Sequence, residues 1–161
     1  MLGLDPGSTK RNPLGWAILE NNKLIDSGEI SIELKDDARI GEVYEKLNDS
    51  RIKDHFPIDY YCYEKQFGPS GDAIKTISHV IAIARFFFLE NDVELYGAYT
   101  PGHIKKIVTG KGNCKKKRMQ KDVMQIYDLT EEDITKDIAD AIGIVHTGMT
   151  HFVTDQHKDA S

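Results

Sequence analysis

The sequence predicts one α/β domain. Two observations lead to this class: short apolar segments that stop at Gly, Pro or Asn recur along the chain, and segments with a helical spacing of apolar residues separate the later ones. The chain has 161 residues, of which 40% are hydrophobic and 29% are charged. This size and composition are typical of a single globular domain with a buried core, so a second full domain is not expected.

Three antiparallel strands are expected at the start of the chain. Residues 1–5 are mostly apolar and stop at a Pro-Gly pair, which is typical of a strand followed by a turn. Residues 14–19 and 23–32 show two further strand patterns, joined at an Asn-Asn pair. The first strand therefore ends at Asp5.

Helices and strands are expected to alternate in the middle of the chain. The residue patterns predict a helix over 36–55, a strand over 58–64, a helix over 72–89 and a strand over 93–99. The helix over 72–89 is apolar on nearly every side, and such a helix needs more than one surface to pack against. We expect it to contact both the sheet and a partner subunit.

The last third of the chain is predicted to be helical. Thr100 and Pro101 are typical of the N-cap and first residue of a short helix, and another helix follows the loop at 110–114 and runs to 127. A capping pattern at 130–133 starts a final helix that ends near 147. We therefore place the domain at 1–149 and expect a polar, frayed tail at 150–161.

Composition excludes several classes of protein. The two cysteines, Cys62 and Cys114, are far apart in the sequence, so a disulfide framework and a clustered thiolate zinc site are not expected. No apolar run approaches the roughly 18 residues of a membrane span, and no basic leader precedes the first strand. The expectation is a soluble, unprocessed protein of the cytoplasm.

The positive charge is concentrated in one segment. The net charge is −5, yet the segment 104–121 holds basic residues and no acidic residue. Such a run is typical of a solvated helix face or a localisation signal, and equally of a surface that contacts phosphates. Its basic residues are Lys105, Lys106, Lys111, Lys115, Lys116, Lys117, Arg118 and Lys121.

Four acidic residues stand where acids are locally unexpected. Asp5 and Glu64 end two apolar strands, where ligand sites open in α/β sheets. Asp137 and Asp140 are three residues apart on the final helix and share one side of it, beside small residues that allow close packing. The alternatives are acids in ordinary turns and a solvated acidic flank. Oxygen ligands without histidine favour Mg²⁺ or Mn²⁺ over zinc, and two such ions can promote phosphodiester hydrolysis.

Four blocks of sequence occur in an order that resembles a known family. The blocks are LGLDPGS, YEKQF, TPGHIKKIVTGKG with NCKKKRMQ, and DIADAIGIVH. Together they resemble the RuvC Holliday-junction resolvases from residue 2 to about 146. The resemblance implies a ribonuclease H-like fold with a five-stranded mixed sheet flanked by helices, three strands antiparallel and two parallel. It also implies a homodimer that nicks two strands of a four-way junction symmetrically, and that is encoded by a bacterium or by a phage and acts in the bacterial cytoplasm.

The resemblance also implies roles for individual residues. Asp5, Glu64, Asp137 and Asp140 align with the acids that bind two Mg²⁺ ions in the family, with Mn²⁺ as a substitute. Lys105 and Lys116 align with lysines of junction binding or catalysis. Phe67 resembles the aromatic residue that stacks at the opened crossover, and the apolar helix at 72–89 resembles the dimer helix.

Other readings stay open. The first block also resembles the phosphate loop of actin-like ATPases and sugar kinases, but those proteins need a second glycine-rich loop and about twice the length. A catalytically silent DNA-binding protein and a ribonuclease H-like nuclease that processes RNA are the remaining alternatives. Residues 9–14 and 68–73 depart from the family pattern, so the preference among branched DNA substrates is open.

Overall fold

The sheet has the mixed topology that was expected. The computed structural model describes residues 1–35, 37–65 and 71–159, with the backbone alone for Ala73 and Asp159. Within these residues the strands are β1 (Leu2–Asp5), β2 (Leu14–Glu20), β3 (Lys23–Ile30), β4 (Tyr60–Glu64) and β5 (Glu94–Tyr99). They form one five-stranded sheet in the order β3-β2-β1-β4-β5. The strands β1, β2 and β3 pair antiparallel, whereas β4 pairs parallel to both β1 and β5, which confirms the predicted arrangement.

Helices cover both faces of the sheet. They are α1 (Ala38–Asn48), α2 (Asp72–Glu90), α3 (Pro101–Thr109), α4 (Lys116–Tyr127) and α5 (Lys136–Asp159), with a 3₁₀ helix at Arg51–His55. One apolar core includes residues of α1 and α2, and a second core lies under α3, α4 and α5. Thr100 caps α3 as expected, since its hydroxyl accepts a hydrogen bond from the backbone N–H of His103. None of the described helices is long and apolar enough to cross a membrane.

The helix predicted over 36–55 is divided in two. The helix α1 ends at Asn48, and the 3₁₀ helix starts after Ser50, whose backbone is extended. The Ser50 hydroxyl donates to the carbonyl oxygen of Leu47 at 2.7 Å. Short polar side chains compete in this way for backbone groups and interrupt a helix, although the apolar spacing continues across the break.

The bounds predicted for the last helix were wrong at both ends. Thr130 donates its backbone N–H and its hydroxyl to Asp133, but these hydrogen bonds close a turn and do not start the helix. The helix α5 begins at Lys136. The hydroxyl of the preceding residue, Thr135, accepts a hydrogen bond from the N–H of Ile138. At the other end the helix continues to Asp159 and does not end near residue 147. Phe152 explains the continuation, because its ring packs against Tyr60 and Tyr96 of the sheet.

Candidate active site

Acidic residues from separate parts of the chain converge at one edge of the sheet. Asp5 ends β1 and Glu64 ends β4. Leu4 pairs with Tyr63 in these parallel strands, so the next residues, Asp5 and Glu64, lie side by side at the same edge of the sheet. On the helical side, α5 begins just before Asp137. A carboxylate oxygen from each of Asp5, Asp137 and Asp140 lies within 4.8 Å of the other two. Glu64 lies outside this group of three but is near enough for its charge to raise the pKa of Asp5.

Glycines on the strands let α5 approach the sheet. A β-carbon on Gly3 would lie 2.7 Å from the carbonyl oxygen of Ala141 and from Val145, closer than real β-carbons come to other atoms. The sequence led us to expect close helix packing through small residues of α5. Ala141 does lie against β1, but Gly143 faces Ile104 and a methionine of α4 instead. The strand glycines therefore decide how near Asp137 and Asp140 come to Asp5.

Burial of these acids makes their negative charge costly. Asp137 and Asp140 are each 3% exposed. Burial, followed by the charges of Asp140 and Glu64, raises the pKa of Asp5 to about 8. Burial is also the largest cause that raises the pKa of Glu64, of Asp137 and of Asp140. Like charges in a buried cluster need a cation to neutralise them.

Lys116 supplies one such cation. It is the first residue of α4, and its ammonium is in direct contact with the Asp140 carboxylate. Burial acts to lower the pKa of Lys116, but this ion pair outweighs burial and the pKa is raised. Within the described residues, no hydrogen bond of ordinary geometry satisfies either buried oxygen of Asp140.

The donor set fits hard divalent cations. The charges of the neighbouring lysines do not prevent the pKa values of the four acids from being raised, and the ligand atoms that converge are all oxygens. Mg²⁺ and Mn²⁺ prefer such ligands. Both carboxylate oxygens of Asp140 are buried beside Lys116, and the pKa of Asp5 is raised; a site built to hold a cation shows both features.

The predicted DNA-contacting basic residues lie on α3, in the loop that follows it and along α4, and Lys105 and Lys116 are near the acids. Lys105 and Lys106 are on α3, and the charge of Lys105 reaches Glu64, whose pKa it acts to lower. Lys111 lies in the loop after α3, and the other basic residues lie at the N-cap or in the first half of α4: Lys115, Lys116, Lys117, Arg118 and Lys121. Arg118 is paired with Asp122 at 2.8 Å. Phe67, predicted to stack at the crossover, lies outside the described residues.

The charges at the start of α4 are opposite to those that usually stabilise the N-terminus of a helix. Its N-cap, Lys115, makes no side-chain capping hydrogen bond, and its first turn contains no acid. Instead Lys116, Lys117 and Arg118 stand where the helix dipole is positive, which disfavours the folded helix. The N-terminus of a helix together with cationic side chains suits the binding of an anion such as a phosphate.

Sequence reasoning missed two residues beside the acids. The Gln120 side-chain amide donates to the carbonyl oxygen of Lys136 at 3.3 Å, and Gln120 also acts to lower the pKa of Asp140. Gln120 follows Lys116 by one helical turn, so the spacing could have indicated that both face α5. Lys136 acts to lower the pKa of Asp137, but nothing in the local sequence distinguishes it from a surface lysine.

The fold and the acid cluster together define a nuclease of the ribonuclease H-like class. A sequence model of one family, described as crossover junction endodeoxyribonuclease RuvC, matches residues 1–151. The chain belongs to this RuvC family.

Individual relatives agree with this assignment. The RuvC of Salinibacter ruber is 28% identical over 165 aligned residues, which cover 99% of this chain and 88% of the relative. The RuvC of Aliarcobacter butzleri is 34% identical over 157 residues, which cover 91% of this chain and 96% of the relative.

Solved structures share the fold. Thermus thermophilus RuvC in complex with Holliday junction substrate has a TM-score of 0.75 at 23% identity, over 91% of this chain and 90% of that one. A fowlpox virus resolvase, solved with substrate Holliday junction DNA, has a TM-score of 0.54 at 18% identity, over 95% of this chain and 98% of that one.

Proposed function

We infer that this protein is a metal-dependent endonuclease that resolves Holliday junctions by paired, symmetric nicks, leaving 5′-phosphate and 3′-hydroxyl ends. The observation that carries the inference is the convergence of Asp5, Asp137 and Asp140, whose carboxylate oxygens lie within 4.8 Å of one another. Membership of the RuvC family supports the choice of junction DNA as substrate. The solved relatives with junction DNA support it as well.

The acids would hold two Mg²⁺ ions, with Mn²⁺ as a substitute. Asp5 and Glu64 approach from the sheet, and Asp137 and Asp140 approach from α5. When bound, the ions supply neutralisation of the carboxylates and polarisation of the scissile phosphodiester. In the protein without metal, Lys116 pairs with Asp140. The Lys116 ammonium thus lies at the acids, where it would also be placed to contact a phosphate oxygen at the cut.

The basic residues around the acids would hold the DNA. Lys105 approaches from α3 and Lys116 from α4, so the two lysines reach the site from different helices. The other predicted contacts are Phe67, Lys106, Lys111, Lys115, Lys117, Arg118 and Lys121. Of these, Arg118 also forms an ion pair with Asp122.

A second copy of the chain would pack on α2. Phe87 and Phe88 of this helix are fully buried in the core, whereas Phe86 is 54% exposed and Leu89 is 73% exposed. Leu95 on the adjacent strand β5 is also exposed. Clustered exposed apolar side chains are typical of an interface with another protein. A dimer through this surface would present two acid sites to one junction, as symmetric nicking requires.

The decisive experiment incubates purified protein with labelled four-way, three-way and linear DNA, in Mg²⁺, Mn²⁺ or EDTA. We expect nicks in two strands of the four-way junction with either metal and none with EDTA. Ligation of the nicked product by DNA ligase would test for 5′-phosphate and 3′-hydroxyl ends. Equal cutting of linear duplex would contradict junction selectivity.

The same experiment separates the two alternatives. A catalytically silent DNA-binding protein would shift the junction in a gel but leave it uncut in every metal. A nuclease that processes RNA would cut a structured RNA of matching shape faster than the DNA junction.

A further inference from the structure

A groove lies beside the acid cluster, between α4 and the segment 129–136. Its volume is about 880 Å³, in the range of pockets that bind ligands. Its walls include residues of α4, the turn that follows α4 and the first residues of α5. None of its lining residues is one of the four acids.

The rim of this groove is positively charged. Lys117 and Lys121 border it from α4, Lys115 borders it at the N-cap of that helix, and Lys136 borders it from α5. Glu131 is the one acid among its lining residues. Lys136 stands in the first turn of α5, where a cation is unfavourable for the helix, so helix stability does not account for its position. The rim therefore complements a polyanion.

The floor of the groove is apolar. Met124, Leu129 and Ile134 are half-buried there, and Ala139 is buried. Duplex DNA presents phosphates and sugars to such a surface and keeps the faces of its bases stacked. A single strand exposes these faces, and proteins that bind single strands combine a cationic rim with a floor on which bases can lie. The thioether of Met124 is suited to contact with an aromatic ring.

The groove also lies next to the acid cluster. Lys115 and Lys117 flank Lys116, whose ammonium contacts Asp140. Lys136 directly precedes Asp137 in the sequence, and its charge acts on that carboxylate. A strand bound at the acids could therefore continue into the groove.

We propose that this groove binds an unpaired segment of the strand being cut, next to the scissile phosphate. The lysines hold its phosphates, and an unstacked base lies on the floor formed by Met124, Leu129 and Ile134. The proposal rests on the inferred nuclease function, since it assigns a further part of the same substrate. It gives the protein a means to favour a junction centre, where bases are free, over continuous duplex.

The first test measures the binding of fluorescent oligo(dT) to metal-free protein by anisotropy at several salt concentrations. Each lost phosphate contact should lower the slope of log K against log salt by about 0.7 for a single strand. We expect that change for Lys121→Ala and for Lys136→Ala. Lys53→Ala, which removes an exposed lysine outside the groove, should leave the slope unchanged. Slopes equal to wild type in both groove variants would overturn the proposal.

The second test separates the floor from the rim. Met124→Gln keeps the length of the side chain and removes its apolar thioether. We expect weaker binding of oligo(dT) and unchanged binding of linear duplex, with thermal unfolding as the check that the variant is folded. Equal loss on both DNAs, or no loss on either, would contradict a base on this floor.

The third test locates the strand directly. A four-way junction carries 5-iododeoxyuridine at single positions on either side of the cut, and is irradiated with metal-free protein. Cross-links to peptides from 115–139 at a position next to the cut support the proposal; cross-links that map only elsewhere overturn it. A wild-type protein that cuts no branched DNA would refute the nuclease function, while the oligo(dT) measurement would still decide whether the groove binds a single strand.

Discussion

Gly15 pairs with Asp5 across the sheet and at the same time lies under the backbone of Asp137. The first contact is the antiparallel register of β1 and β2. In the second, a β-carbon on Gly15 would overlap the carbonyl oxygen of Asp137. One residue without a side chain thus sets the distance between an acid of the sheet and an acid of α5.

The substitution Gly15→Ala should therefore separate the two acids. Because the added methyl meets backbone atoms, which cannot rotate away, we expect a loss of about 1–3 kcal/mol in the free energy of unfolding. Mn²⁺ binding and junction nicking should fall as well. Urea unfolding and titration calorimetry with Mn²⁺ measure the two effects.

Gly41→Ala is the matched control. Gly41 lies inside α1 with nothing within 4 Å of its added β-carbon, so alanine should stabilise the protein by about 0.5–1 kcal/mol and leave metal binding unchanged. Wild-type metal affinity in Gly15→Ala would show that the approach of α5 does not set the site.

Asp5→Asn and Asp140→Asn should each remove junction nicking. Each replaces a carboxylate of the cluster by an amide, and we expect the rate to fall at least about a hundredfold, since even substitutions around metal ligands cost 10–100-fold. Junction binding should be unchanged or tighter, because a negative charge near phosphate is lost. Glu132→Gln, at an exposed acid, is the control for the loss of one charge. Cleavage near the wild-type rate in either variant would remove that residue from the metal site.

The stability of the metal-free protein should fall as the pH rises from 5 to 8. The folded pKa of Asp5 is about 8, well above the value of about 4 for an unfolded aspartate, so the folded state binds more protons in this interval. The free energy of unfolding should fall by up to about 1.4 kcal/mol per pH unit for one such group. Urea unfolding in EDTA measures the slope, and Asp5→Asn should flatten it. A wild-type stability that is constant from pH 5 to 8 would show that Asp5 is ionised throughout.

Lys116→Ala should affect DNA binding in a way that depends on Asp140. The two side chains are in contact, so in metal-free protein the lysine is occupied by its carboxylate partner. In an Asp140→Asn background the lysine is released, and its removal should lower the salt slope of junction binding by about 1. We expect a smaller change in the otherwise wild-type protein. The same change in both backgrounds would mean that the ion pair does not restrict the lysine.

Leu89→Lys should convert the proposed dimer to a monomer. Leu89 is 73% exposed on α2, so a lysine there does not disturb the core but places a charge in the expected interface. Sedimentation measures the mass, and the junction assay should then show single nicks in place of paired ones. Ile25→Lys is the control, at an exposed apolar residue of β3. A Leu89→Lys protein that sediments as wild type would place any dimer interface elsewhere.

Local patterns of sequence were sufficient for the three antiparallel strands and for the candidate acids, whereas the five-stranded mixed sheet was expected from the family resemblance. Asp5 and Glu64 were recognisable because each ends a short apolar strand, and Asp137 and Asp140 because their spacing places them on one side of a helix. These signals span only a few residues. The proposed roles of Asp5, Asp137 and Asp140 now rest on the convergence of their carboxylates as well as on the family resemblance, and that of Glu64 on the family resemblance and on its effect on the pKa of Asp5.

Contacts between residues distant in the sequence decided the length of α5 and the detailed geometry of the acid site. The helix α5 continues past residue 147 because Phe152 contacts the aromatic rings of β4 and β5. A local sequence pattern does not predict this contact. The roles of Lys136 and Gln120 depend on their positions beside Asp137 and Asp140, and the role of Gly15 depends on its contact with α5. Strand ends and helix faces follow from the backbone periodicity of a short segment. The distance between two acids, and the charge that each can carry, depends on how closely the helix packs on the sheet, and that is a property of the folded chain.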